Sequence, residues 1–220
     1  MKEWTGMRMK PEEIEKRSFE IISEELGGRC LDAENEAVIK RVIHTTADFD
    51  YVDNLFFSEH AVTKMRQAIR EGACIVTDTQ MARAGISKKT LAKYGGEVFC
   101  FMSDGDVAEA AKAAGSTRAA ASMDKAASLE AQAGLSGKLI FAIGNAPTAL
   151  IRIHELMEGK KLTPAGIIGV PVGFVNVVEA KELILAADCP LIVARGRKGG
   201  SNVAAAVCNA LLYGMGDGRC

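Results

Sequence analysis

The chain has 220 residues, enough for one large domain or at most two small ones. Its hydrophobic content of 48% implies a sizeable buried core, and no apolar run approaches the roughly 18 residues that would suggest a membrane span. Lysine plus arginine total 27 against 28 acidic residues, a net charge of −1, which excludes a general electrostatic attraction to nucleic acid.

The N-terminus, M-K-E-W-T-G-M-R-M-K, has no apolar signal core, so a cytoplasmic location is expected. The segment from Pro11 to Gly27 reads as a helix, with proline in the first turn, acidic residues after it and Ile14, Phe19, Ile22 and Leu26 at helical spacing. A second helix is predicted from Asn35 to about Ile43, stopping near His44-Thr45-Thr46 and giving way to a loop over Ala-Asp-Phe-Asp. Glu59 to Glu71 is amphipathic, and Gly72 closes it. Ala73–Val76 reads as a buried strand ending in T-D-T. One or two short helices follow from Gln80, then a strand over Val98–Met102 and an alanine-rich helical stretch from Val107 to Ala133, broken near Gly115-Ser116-Thr117.

The last third repeats one pattern three times. Leu139–Ile143 runs into G-N-A-P-T-A-L, Ile167–Val170 into P-V-G-F-V-N, and Leu191–Ala194 into R-G-R-K-G-G-S-N, each followed by a helix-like stretch. Repeated strand–turn–helix units imply a parallel sheet whose ligand crevice lies outside the carboxyl ends of its strands. The expected fold is therefore α/β: one three-layer α/β/α domain over residues 1–220 (core about 11–213), with a mainly parallel sheet of about five strands and an N-terminal helical extension.

The glycine turns invite a phosphate reading, but R-G-R-K-G-G-S-N is not a P-loop, and no G-x-G-x-x-G follows the first strand. Arg195 and Arg197 can each grip a carboxylate bidentately, or stand as solvated turn charges. Arg118, at the start of the alanine-rich helix, lies where the helix dipole disfavours a cation and so calls for an anionic partner. Asp78 either faces the crevice or caps the next helix. His44, at a helix boundary beside two threonines, is suited to proton transfer or is simply structural. No metal site is expected: the three histidines are far apart, none of the six cysteines forms C-x-x-C, and Ser-Asp-Gly-Asp at 103–106 lacks the other ligands of a calcium loop. Cys74, Cys100 and Cys208 lie in apolar stretches and are expected to be buried thiols.

Seven strings in order, R-S-F-E-I-I (17–22), V-I-H-T-T-A-D-F-D (42–50), G-A-C-I-V-T-D-T-Q-M (72–81), G-S-T-R-A-A-A (115–121), G-N-A-P-T-A-L (144–150), G-V-P-V-G-F-V (169–175) and R-G-R-K-G-G-S (195–201), closely resemble the precorrin-8X methylmutases of cobalamin biosynthesis. The resemblance implies an isomerase that moves a methyl group from C-11 to C-12 of the macrocycle, without cofactor, giving cobyrinate or hydrogenobyrinate. A non-catalytic corrinoid carrier is the alternative. The resemblance implies that His44 is catalytic, handling a proton on the ring as the methyl migrates. It further implies that Arg17, Ser18, Thr45, Asp78, Thr79, Met81, Arg118, Asn145, Val172, Gly173, Phe174, Arg195, Lys198, Gly199 and Gly200 bind the carboxylate-fringed substrate. A homodimer with the site near the subunit contact is implied as well, with no nucleic-acid or membrane partner. The form V-I-H-T-T-A-D-F-D resembles the anaerobic branch, whose substrate carries cobalt.

Overall fold

The computed structural model describes residues 10–215. In chain order the elements are α1 (Pro11–Glu25), α2 (Glu36–Thr46), α3 (Tyr51–Asn54), β1 (Leu55–Phe57), α4 (Ala61–Arg70), β2 (Cys74–Thr77), α5 (Gln80–Gly85), α6 (Lys88–Ala92), β3 (Val98–Phe99), α7 (Gly105–Ala113), α8 (Arg118–Ala133), β4 (Leu139–Ile143), α9 (Pro147–Glu158), β5 (Gly166–Gly169), α10 (Val177–Ile184), β6 (Leu191–Ala194) and α11 (Ser201–Tyr213). No helix among the described residues is long and apolar enough to cross a membrane.

Strict alternation along the strands makes two cores. Ile75, Ile140, Ala142, Ile168, Val170 and Ile192 point to one face, where they meet Val38, Val42, Met65 and the apolar residues of α11. Val76, Leu139, Phe141, Ile143, Ile167 and Val193 point to the other, against Met123, Leu150, Ile153 and Ile184 of α8, α9 and α10. A strand buried on both faces reads as a continuous apolar run, and every residue of β4 is buried. The three-layer α/β/α expectation holds.

The sheet has six strands in the order β1-β6-β5-β4-β2-β3. The five expected strands are all parallel. The sixth, β1, was not legible as a strand: it is three residues, Leu-Phe-Phe, paired antiparallel on the outer edge of β6 with Leu55 opposite Ala194. It brings the segment after α2 to the carboxyl end of β6, where the Arg195 N–H donates to Asn54 O at 2.8 Å. Among the parallel strands the order reverses between β2 and β4, the position at which doubly wound sheets open their ligand crevice.

Helix α2 also runs further than its composition suggests. The Thr45 and Thr46 hydroxyls donate to the carbonyls of Arg41 and Val42 four residues back, so neither hydroxyl competes for the backbone N–H groups of a turn. Ala47 then ends the helix in a left-handed conformation at φ 53°. His44 therefore lies inside the last turn of α2.

Candidate active site

The turns at the carboxyl edge interlock. A Cβ on Gly199 would lie 2.1 Å from Val170 O, and one on Gly144 would lie 2.7 Å from the Ser201 Cα, so the turns after β5 and β6, and the turn after β4 with the start of α11, pack backbone to backbone. Gly200 N–H donates to Val170 O at 2.9 Å and Gly173 N–H to Arg197 O at 3.2 Å. Thr79, after β2, shares a 2.8 Å hydroxyl contact with Ser201 and caps α5 by accepting from Ala82 N–H.

Asp78 lies at the point where strand order reverses, and it is fully buried. Its Oδ1 accepts from Gly144 N–H at 2.8 Å; its Oδ2 accepts from Asn145 at 2.8 Å and Ala146 at 2.6 Å. Burial pushes the carboxyl above its ordinary value, and the three N–H donors oppose that shift. Of the two readings of Asp78, crevice ligand or cap, the geometry matches a cap, and of the opposite turn at that: its oxygens are occupied by the backbone that carries Asn145.

Arg118 opens α8, held at the same edge by the Thr117–Thr148 hydroxyl pair at 2.9 Å. It is exposed and forms no ion pair among the described residues. Arg195 lies over the Phe56 ring at 5.0 Å, and Arg197 over Phe174 at 5.4 Å. Met81, Val172, Phe174 and Val175 stand out from this rim, with Phe174 82% exposed, an apolar surface set among cations.

His44, in the last turn of α2, packs against α1. Its ring stacks on Phe19, centroids 5.2 Å apart and planes 12° apart, and the same helix carries Arg17 and Ser18. Beyond it in the chain, Asp48 and Asp50 each accept from Lys198 Nζ at 2.6 Å, tying the end of α2 to the turn after β6. His44 and Thr45 are both exposed. Two expected ligand cations already have partners: Lys198 as described, and Arg17 with Glu20 and Glu24 at 3.1 Å each. Ser18 donates to Ile14 O. Among the described residues no cluster of three or more His, Cys, Asp or Glu side chains is placed to hold a metal ion. An open cleft of about 430 Å³, lined by Arg29, Leu31, Asn35, Ile39 and Val52 among others, includes none of the turn residues.

Residues 13–214 match the family model described as precorrin-8X methylmutase. The chain belongs to the precorrin-8X methylmutase family. Among its relatives, the cobalt-precorrin-8 methylmutase of Salmonella typhimurium is 47% identical over 208 residues, covering 92% of this chain and 95% of the relative. The cobalt-precorrin-8 methylmutase of Leptospira interrogans is 44% identical, covering 90% and 91%. The solved precorrin-8X methylmutase of Thermus thermophilus superposes with a TM-score of 0.80 at 37% identity, covering 91% of this chain and 96% of that one. Methylmutases are isomerases of cobalamin biosynthesis, and the resemblance read from the seven strings is thereby confirmed.

Phe19 was singled out from the sequence only as an apolar helix position, and Asp48, Asp50 and Lys181 were not singled out at all. The first three lie inside the seven strings, but their roles depend on partners far away in the chain. Lys181 left a local trace: with Val177, Ala180 and Ile184 it shares one stripe of α10, a lysine in an otherwise apolar row.

Proposed function

We propose that this methylmutase acts on cobalt-precorrin-8, moving the C-11 methyl group to C-12 to give the cobyrinate product, with His44 as the proton-handling residue. The observation that carries this reading is the rim itself. An apolar macrocycle fringed with acetate and propionate groups matches exposed apolar residues, Phe174 foremost, set among Arg118, Arg195 and Arg197. Guanidinium groups suit carboxylates by their fork geometry. The N–H groups at the start of α11 add donors for the same anions.

The shift is an isomerisation, so every atom of the substrate remains in the product. His44 supplies a proton to the ring system, or holds one there, while the methyl migrates; acid catalysis of this kind is worth roughly 10²–10⁴-fold. The remaining acceleration comes from holding the macrocycle in one shape on the interlocked turns. Cobalt enters within the substrate. The reading is supported by V-I-H-T-T-A-D-F-D and by relatives named for the cobalt form at 47% and 44% identity, against 37% for the precorrin-8X methylmutase of Pseudomonas aeruginosa.

The protein acts as a cytoplasmic homodimer in this account. An open rim with Phe174 82%, Val175 75% and Met81 71% exposed is the kind of surface that a ligand and a second subunit cover together. The test uses substrate in excess over purified protein, followed by the visible spectrum, with sedimentation of the same preparation. Many turnovers by a species of twice the chain mass are expected. A spectral change that stops at one equivalent would mark a carrier, and an active monomer would remove the dimer.

A further inference from the structure

The turn after β6 carries three glycines, Gly196, Gly199 and Gly200, within five residues, all with positive φ. Such a segment has many backbone states to lose, and something must select one. Beneath it lies Lys181. Its side chain is fully buried, and its Nζ donates to Gly196 O and Lys198 O, 2.8 Å each, the two carbonyls that flank Arg197. Lys198 then extends the other way, its own Nζ held by Asp48 and Asp50. A continuous connection therefore runs from α10, through the backbone of the turn, to the segment that leaves the His44 helix.

We propose that Lys181 is a positioning residue of the methylmutase reaction, fixing the β6–α11 turn so that its binding groups and the His44 segment keep one relative placement. The inference rests on the reading of this rim as the tetrapyrrole site.

The stability of the fold does not explain a lysine there. Its neighbours in the α10 stripe are Val177, Ala180 and Ile184, and an apolar residue of similar volume would complete the row. Burying an ammonium is costly, and an apolar residue avoids that cost while leaving the carbonyls of Gly196 and Lys198, both exposed residues, to bond water. Burial lowers the Lys181 pKa from 10.5 to about 8, the mark of that cost. What the lysine supplies, and methionine cannot, is two directed bonds to a glycine-rich turn. Glu130 offers a comparison at the opposite edge of the sheet: nearly buried, it accepts from Gly137 and Thr163 N–H ahead of β4 and β5, far from the rim.

The experiment measures kcat, KM and thermal midpoint for Lys181→Met, Lys198→Met, the double variant and Glu130→Gln. Lys181→Met is expected to keep the wild-type midpoint or exceed it while kcat falls roughly 10- to 100-fold, the scale of a misplaced reacting geometry. Glu130→Gln is expected to do the reverse, with a lower midpoint and wild-type kcat. Because Lys181 acts through the turn, its loss and that of Lys198→Met should combine to less than their product. Wild-type kcat and KM in Lys181→Met would overturn the proposal, as would losses that multiply. If Lys181→Met does not fold, Lys181→Gln takes its place, and failure of both to fold would make Lys181 a residue of the fold, against the proposal. An inactive wild type would instead overturn the reading of the site, and the proposal with it.

Discussion

At Asp78, one carboxylate holds three backbone N–H groups of a turn 66 to 68 residues away in sequence. Asparagine is nearly the same size but turns an NH2 toward a donor, leaving a buried group unpaired, at a cost of about 1–3 kcal/mol. Asp78→Asn should therefore lower the thermal midpoint, by about 2–4 °C per kcal/mol for a chain of this length. An unchanged midpoint in a thermal melt would show that the three bonds contribute nothing. Asp78 stands at the carboxyl edge of the sheet, as a residue that follows a buried strand must. Whether it faced ligand or backbone depended on which strand lay beside β2, and T-D-T carries no information about that neighbour. His44 was legible as a residue type at a helix end. Its stacking on Phe19 was not, because the contact requires α1 and α2 to pack.

Helices and central strands were the most legible elements. Their apolar residues recur at periods that reveal which face is buried, as in Leu139, Phe141 and Ile143 against Ile140 and Ala142. Short edge elements were not: β1 has three residues, too few to show a period, and it is a strand only because β6 offers an unpaired edge. The same neighbourhood holds the contact between Lys198 and the end of the α2 segment. The Lys198 ammonium, bonded to two aspartates, holds the Asp48 carboxyl below its ordinary value of 3.8, and those bonds raise its own pKa above 10.5. A lowered acid stabilises the fold above its unfolded pKa and loses that contribution as pH falls. A raised base stabilises below its unfolded pKa and loses the contribution as pH rises. The stability difference between wild type and Lys198→Met should thus stay constant between about pH 5 and pH 9 and close toward both extremes. Urea unfolding across pH would measure it, and a difference that varies through neutrality would mean that the contact titrates with some other group.

For the whole molecule, three glycine turns separated by tens of residues form one continuous floor because parallel strands deliver all their carboxyl ends to one edge. This was the most readable functional feature in the chain. It followed from repetition of the strand–turn–helix pattern. In the function proposed above, the floor binds and shapes the macrocycle, and the chemistry enters from the last turn of α2. That division of labour is the central claim, and a single protein variant tests it. In the visible spectrum, His44→Ala should still bind the tetrapyrrole product with near wild-type affinity while turnover of cobalt-precorrin-8 falls by roughly 10²–10⁴-fold. Wild-type turnover in His44→Ala would contradict it.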